Sequence, residues 1–348
     1  MKKSVVEEPR LPGIEANQKS IPHSFFVGRS RPTPSAVYDT YWRFAAERQA
    51  TFFARLERPL NPPWTEDPVI RDYKFTNVYR AADRVSQYLI RNVIYTGDQS
   101  AEEVFFRTIL FKLFNRIETW ETLSEELGPL SRETFDWTKA VNVLDNAMRL
   151  KIKVYSAAYI MPSAKSSFGH DRKHSNHLSL LAKMIDDRVP LRIQQCGTME
   201  AAYEILLSYP SIGPFLAYQY LIDTNYSSIT GFSENDFVVA GPGALSGIAK
   251  CFPDLGGWSP GDVIRHVTEI QEREFDRLGL MFRKLWGRRL HLIDCQNLFC
   301  EVDKYSRVKH PEFCGQGGRT RIKQIFKPTM KPISFWFPPK WEINDQVG

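Results

Sequence analysis

Residues 206–221 read Leu206-Leu207-Ser208-Tyr209-Pro210-Ser211-Ile212-Gly213-Pro214-Phe215-Leu216-Ala217-Tyr218-Gln219-Tyr220-Leu221. A helix-periodic segment runs into Pro-Ser-Ile-Gly, and a second apolar helix begins at once with proline at its first position, where a missing N–H does no harm. Two helices joined by so short a turn have the outline of a helix-hairpin-helix. The glycine permits a tight backbone. The N–H groups of Ser211, Ile212 and Gly213, at the start of the second helix, suit a DNA phosphate. The competing reading is an ordinary Pro-x-x-Gly turn between packed helices.

Outward from this hairpin, helical periodicity dominates. Val37, Tyr38, Tyr41, Trp42, Phe44, Ala45, Phe52, Phe53 and Leu56 recur at three and four residues, which predicts a helix over 34–58. The same reasoning predicts helices over 77–94, 102–117, 138–150, 178–185, 199–207, 214–222 and 260–280. Ser259-Pro260 before Asp262 is a helix start, with a capping hydroxyl and proline at the first position. Few segments alternate with period two, so the fold class is all-α. Polar, proline-punctuated residues 1–35 read as a flexible arm, 36–330 as one helical domain, and 331–348 as a tail of a proline-rich, basic C-terminal extension.

The chain has 348 residues, 43% of them hydrophobic and 25% charged, enough to bury a core and too apolar for a disordered protein. No apolar run of about 18 residues is present, and the N-terminus turns acidic at Glu7-Glu8, so neither a membrane span nor a signal peptide is expected. Five cysteines, an odd and sparse set, argue for a reducing, intracellular setting. The net charge of +6 is modest, so a polyanionic partner must rest on clusters such as Arg288-Arg289, 304–309 and the 319–327 segment containing Arg319 and Arg321. Each cluster also reads as a solvated face.

The segment Lys74-Phe75-Thr76-Asn77-Val78-Tyr79-Arg80-Ala81-Ala82-Asp83-Arg84-Val85-Ser86-Gln87-Tyr88-Leu89 carries chemistry. On the helix expected there, Asn77, Arg80, Arg84, Gln87 and Arg91 share one stripe. Guanidinium forks suit phosphate or pyrophosphate oxygens. Neutralisation of these arginines by Asp83 and nearby acids is the alternative. Beyond the hairpin lie Asp223-Thr224-Asn225-Tyr226 and Glu234-Asn235-Asp236, followed by Gly241-Pro242-Gly243. Those three residues read as a loop for close approach, without the Gly-Lys-Ser/Thr of a phosphate-binding loop.

His170, His174 and His177, and His291, Cys295, Cys300, His310 and Cys314, are two sets of possible metal ligands. Neither set has CxxC spacing, so no metal or cofactor is expected. Cys196 could add to a pyrimidine ring, but a small buried thiol is the commoner role. Tyr305 and Trp286 could stack on a base, against a stronger expectation that they belong to the core.

Helix-hairpin-helix DNA glycosylases place a catalytic aspartate a little over 20 residues past the hairpin glycine and a lyase lysine just after it. Here Phe215 stands at the lysine's place, and Gly241 stands near the aspartate's. The Phe-Thr-Asn-x-Tyr-Arg-x-x-Asp-Arg segment, the Pro-Ser-Ile-Gly hairpin, Ala-Gly-Pro-Gly-Ala and the run Asp294-Cys295-Gln296-Asn297-Leu298-Phe299-Cys300-Glu301-Val302-Asp303-Lys304-Tyr305 together resemble another group. These are the α-glutamyl/putrescinyl thymine pyrophosphorylases, or amino acid:DNA transferases, of phages, and the related helical domain of 5-hydroxymethyldeoxyuridine DNA kinases. The resemblance spans about residues 35–330 and implies a glycosylase-like helical fold.

It further implies transfer of an amino acid or polyamine amine onto 5-pyrophosphorylmethyluracil in double-stranded DNA, with release of pyrophosphate after the base is extruded. A 5-hydroxymethyldeoxyuridine DNA kinase is an implied partner, and the host cytoplasm is the expected location of a phage-encoded chain. Under that reading Arg80 and Arg84 hold the pyrophosphate, Asp223 or Asp236 takes the amine's proton, and Asn77 or Asn225 reads the uracil edge. Glu301 and Lys304 form a substrate wall or, equally, a structural salt network with Asp294. A glycosylase and a non-enzymatic DNA-binding partner of the kinase are the competing functions.

Overall fold

A computed structural model describes residues 30–313, 318–328 and 334–347. In chain order its helices are α1 (Ala36–Glu57), α2 (Pro68–Asp72), α3 (Arg84–Tyr88), α4 (Ala101–Phe114), α5 (Ile117–Leu127), α6 (Trp137–Arg149), α7 (Lys165–Phe168) and α8 (Lys173–Asp186). Then come α9 (Val189–Gln194), α10 (Met199–Leu207), α11 (Pro214–Asn225), α12 (Pro242–Cys251), α13 (Pro260–Glu269), α14 (Gln271–Arg277) and α15 (Leu292–Lys309). Among the described residues the only β-pairing is three isolated bridges, so the protein is all-α. No described helix is long and apolar enough to cross a membrane.

Two groups of helices share one continuous core. In the first, α15 is the axis against which α1, α12 and α13 pack. In the second, α4 is the axis, contacting α5, α8, α9 and α11, and α10 lies on α11. Both axes are dense in large side chains: Phe105, Phe106 and Phe111 of α4 and Phe299 of α15 are fully buried. At roughly 1.5–3 kcal/mol per fully buried large side chain, this packing dominates the folding free energy.

Local signals explain the helix starts. Ser35 accepts from the Val37 N–H, and Ser259 and Asp262 make a reciprocal capping box at α13. α12 lies directly against α15. A Cβ added at Gly247 would lie 2.0 Å from the Phe299 carbonyl oxygen, and one at Gly243 would lie 3.0 Å from Cys300 Sγ. Gly243 was expected in a loop open to a base or phosphate; instead it is helical and faces Cys300, because the Gly-x-x-x-Gly spacing puts two bare positions on one face.

The largest departure concerns residues 77–94. A single helix was expected, but residues 74–79 are extended, Arg80–Ala82 form a 3-10 turn, α3 follows, and Leu89–Ile94 close with a wider π-type turn. The polar stripe through Asn77, Arg80, Arg84, Gln87 and Arg91 therefore does not exist. The three-and-four spacing is produced by side chains that each meet a different tertiary partner. The 260–280 helix likewise divides at Ile270 into α13 and α14.

Of the arm expected over 1–35, residues 1–29 lie outside the described residues, while Thr33 and Ser35 donate backbone N–H groups to Asp254 and Cys251. At the other end, residues 334–347 lie on the body. Phe337 is fully buried, and the Lys340 ammonium donates to the carbonyls of Ser227 and Thr230.

Candidate functional site

The segment 74–83, non-helical up to its 3-10 turn at Arg80–Ala82, runs between the two helix groups, and α15 supplies partners for its backbone. Asp294, Asn297, Glu301 and Lys304 fall three and four residues apart, on one face of α15. Asp294 Oδ1 accepts the Arg80 N–H at 3.0 Å, Asn297 Nδ2 donates to the Asn77 carbonyl at 3.0 Å, and Glu301 Oε2 accepts the Thr76 N–H at 2.9 Å. Lys304 holds Glu301 at 2.7 Å. Glu301 and Lys304 thus form a structural pair behind the segment, while Asp294, two turns away, caps the start of α15 by accepting the His291 N–H.

At the outer half of this segment, Asn77 is tied on three sides. Its Nδ2 donates to the Ala82 carbonyl at 2.7 Å, its Oδ1 accepts from Arg48 of α1, and its N–H donates to Asp83 Oδ1 at 2.7 Å. Arg48 also donates to the Thr76 carbonyl at 3.0 Å. Burial pushes the Asp83 carboxyl up to about 7, against the opposing pull of the Asn77 N–H and the Arg48 charge. The same burial brings the Arg48 guanidinium down to about 10. Asp83 retains partial exposure, and next to it Arg84 is exposed, 4.0 Å from Glu118.

The inner half is different. Arg80 is 3% exposed, and its guanidinium forms a fork on Asp223 at 2.7 and 3.0 Å while donating also to Gln219 and Tyr226. Lys112 of α4 reaches the second oxygen of Asp223 at 3.0 Å. Burial acts to raise the Asp223 carboxyl, but the Arg80 and Lys112 charges outweigh it and hold the group below its ordinary value. Burial lowers the Lys112 ammonium to about 8 in spite of Asp223. The Tyr159 ring covers this node, 4.2 Å from Lys112 Nζ, and stacks on Phe215. Gln219 links the node to Gln296 of α15 at 3.4 Å.

The structure brings Asn77, Asp83, Glu301 and Lys304 to one seam, puts Arg80 and Asp223 behind it, and leaves the Arg84 side chain at the surface facing Glu118. Asn225 accepts from Thr230 at 2.7 Å and donates to the Phe232 carbonyl, so its amide is used in bracing the loop after α11. Asp236 is exposed in that loop. In the hairpin, Ser211 has φ 65°, Gly213 caps α11, and no side chain occupies that helix start. Ile212 is buried and gives its N–H to the Tyr209 carbonyl, so it anchors the turn and has no N–H left for a phosphate. The two positions that depart from the glycosylase pattern touch: a Cβ at Gly241 would lie 2.5 Å from the Phe215 ring.

Arg319 and Arg321 are exposed along a stretch whose Gln324 and Phe326 backbone groups bond to Lys74 and Asp72. Tyr305 and Trp286 pack in the aromatic core, against Phe44 and Phe53 respectively. His177 bonds Tyr155 and the Pro162 carbonyl, and His174 faces Asp145. Among the described residues no three His, Cys, Asp or Glu side chains are placed to share a metal ion; Cys314 lies outside them. Arg48, Lys112, Tyr159 and Asn297 were not anticipated. Lys112 had a signal, a lone charge within Ile109–Phe114 where every neighbour is apolar.

Residues 35–315 match the family described as "5-hmdU DNA kinase, helical domain", and the chain belongs to this family. A protein named 5-hmdU DNA kinase from Bacillus phage SP10 is 29% identical over 297 residues, covering 80% of this chain and 46% of that protein. The chain therefore spans a little under half the length of this relative. No solved structure matches it.

Proposed function

We propose that this chain is a DNA base-hypermodification enzyme that moves an amino acid or polyamine amine onto 5-pyrophosphorylmethyluracil in DNA. The observation that carries the assignment of roles is Asp83, a partly exposed residue whose carboxyl is raised by burial to about 7 and fixed to the Asn77 N–H at 2.7 Å. A general base works best with a value near the operating pH. Asp223, clasped by two cations, and Asp236, in an exposed loop, are weaker candidates.

In this reading Asp83 takes a proton from the amine, whose nitrogen attacks the exocyclic methylene carbon. The bond from that carbon to the pyrophosphate oxygen breaks, and pyrophosphate departs with the electron pair. Arg84, exposed and one residue from Asp83, receives the polyanion; Arg80 holds the segment from within. Asn77, its amide held by Arg48 and the Ala82 carbonyl, positions the Asp83 carboxyl through its N–H and is not left to read the uracil edge. The N–H groups at Ser211 and Gly213, with Arg319 and Arg321, hold DNA phosphates in a glycosylase-like, helix-hairpin-helix mode of binding with the base extruded.

The test is mass spectrometry of nucleosides from DNA carrying 5-pyrophosphorylmethyldeoxyuridine after incubation with the protein and a mixture of amino acids and polyamines. An amine-adducted nucleoside is expected. Unchanged nucleosides from folded, DNA-bound protein would sink the transfer reading for those amines. A second reading follows from the relative's name: the chain serves as the DNA-binding helical partner of a 5-hydroxymethyldeoxyuridine kinase. It would then stimulate a separately added kinase without altering DNA alone.

A further inference from the structure

Beside α1 lies a cleft of about 290 Å³ whose lining includes Arg48 and Asn77 of the seam but is otherwise unused by the roles above. Its walls come from distant parts of the chain. Trp64, fixed by its indole N–H to the Arg58 carbonyl at 2.7 Å, faces Phe326 at 6.4 Å between ring centroids, and Tyr73 and Phe335 complete an aromatic surface. Phe326 is held there by main-chain pairing, since its N–H donates to the Asp72 carbonyl at 3.0 Å and the Lys74 N–H donates to the Gln324 carbonyl at 2.9 Å.

The charge on this lining has one sign. Arg48, Arg55 and Arg71 contribute to it and no carboxylate lines the cleft, although Arg71 is paired at the surface with Asp72 at 2.8 Å, a partner that a phosphate has to displace. The neighbouring Glu47 is engaged by the Thr65 hydroxyl, and the Arg55 guanidinium sits 5.2 Å from the Trp64 ring. Aromatic faces with guanidinium groups and no acid fit a planar ring that carries an anion. The volume is at the small end of the roughly 300–1,000 Å³ typical of ligand sites, which suits one base with its phosphate and not a stack. On the two paired stretches Lys74, Arg321, Lys323 and Lys327 are exposed, together with the acid Asp72.

We propose that this cleft takes one unstacked nucleotide of a nucleic-acid strand, its base against Trp64 and Phe326 and its phosphate on Arg55 and Arg71. The cleft shares Arg48 and Asn77 with the seam, and its test does not use the reaction assigned to Asp83. The probe is a short oligothymidylate strand carrying a single 2-aminopurine, followed by its fluorescence on titration with the full chain, with thymidine 5′-monophosphate as competitor.

The parent protein is expected to change the 2-aminopurine emission, and Phe326→Ala to weaken that response about tenfold, the scale of losing one base–aromatic stack. Arg71→Ala should weaken it less and reduce its salt dependence. Folded Phe326→Ala and Arg71→Ala proteins that both respond like the parent would overturn the site. If Phe326→Ala loses its helical circular dichroism, Arg71→Ala decides alone, because that side chain lies at the surface beside Asp72. Thymidine monophosphate binding as tightly as the strand, with the same dependence on Arg71, would make the occupant a free nucleotide and overturn the strand assignment.

Discussion

Asn77 and Asp83 on one side, Arg80 on the other, belong to the same short segment and meet opposite fates. Arg80 points into a sealed node in which one carboxylate, Asp223, faces two cations. Asp83 lies in the seam, where the Arg48 and Arg80 charges only partly offset the burial that lifts its carboxyl to about 7. Full compensation fixes charge, whereas partial compensation leaves a proton that can move near neutrality. A sequence stripe of amide, arginines and aspartate therefore divides into a part that holds the fold and a part free to do chemistry.

The sharpest way to break this contrast is Asp83→Asn. It should lower amine transfer by about 10²–10⁴-fold, the range of a lost general base, while the thermal midpoint stays equal or rises. Undiminished transfer would move the base elsewhere. Asp223→Asn should behave in reverse, costing roughly 3–5 kcal/mol in urea denaturation because Arg80 and Lys112 lose their shared counter-charge. A loss below about 1 kcal/mol would mean that the node is not structural. Arg84→Ala should cut transfer by about 10²–10³-fold with DNA affinity and unfolding unchanged, as for a lost electrostatic donor. Equal transfer in that variant removes Arg84 from the pyrophosphate role.

Away from both regions, Gly247→Ala should cost about 1–3 kcal/mol, because α12 and α15 must separate to admit a methyl group. The last expectation concerns pH. The folded Asp83 and Asp294 carboxyls are raised to about 7, above the unfolded value near 4, so the folded state binds more protons. Their contribution to stability is present below about pH 4 and is lost as pH rises toward 7. Asp223 is depressed, so its contribution is lost in the opposite direction, as acid protonates it. Urea midpoints measured from pH 4.5 to 8.5 should fall toward the upper end, and Asp294→Asn should flatten that fall. A transfer rate that rises through about pH 7 and loses this limb in any residual activity of Asp83→Asn would tie the seam's proton to catalysis.

Helices were legible where one face is apolar and the ends carry their own signals. The stretch expected at 199–207 and α10 coincide, and the Ser259-Pro260 start stands as read. The segment 77–94 was not legible for a physical reason. Its polar residues repeat at helical spacing, yet the backbone around Thr76 to Arg80 is satisfied by side chains more than 200 residues later, and no local pattern encodes them. The residue types of the seam were in view, but their division was not. Whether an arginine meets a substrate or a buried aspartate depends on α4 and α11 arriving behind it.

Pairing of residues 72–74 with 324–326 brings together stretches that leave the ribosome far apart in time. The Arg55 and Trp64 wall waits without its opposite face until Phe326 has been made. A nascent chain would therefore carry the Trp64 wall uncovered through most of its synthesis, and the cleft takes shape only when the late stretch arrives.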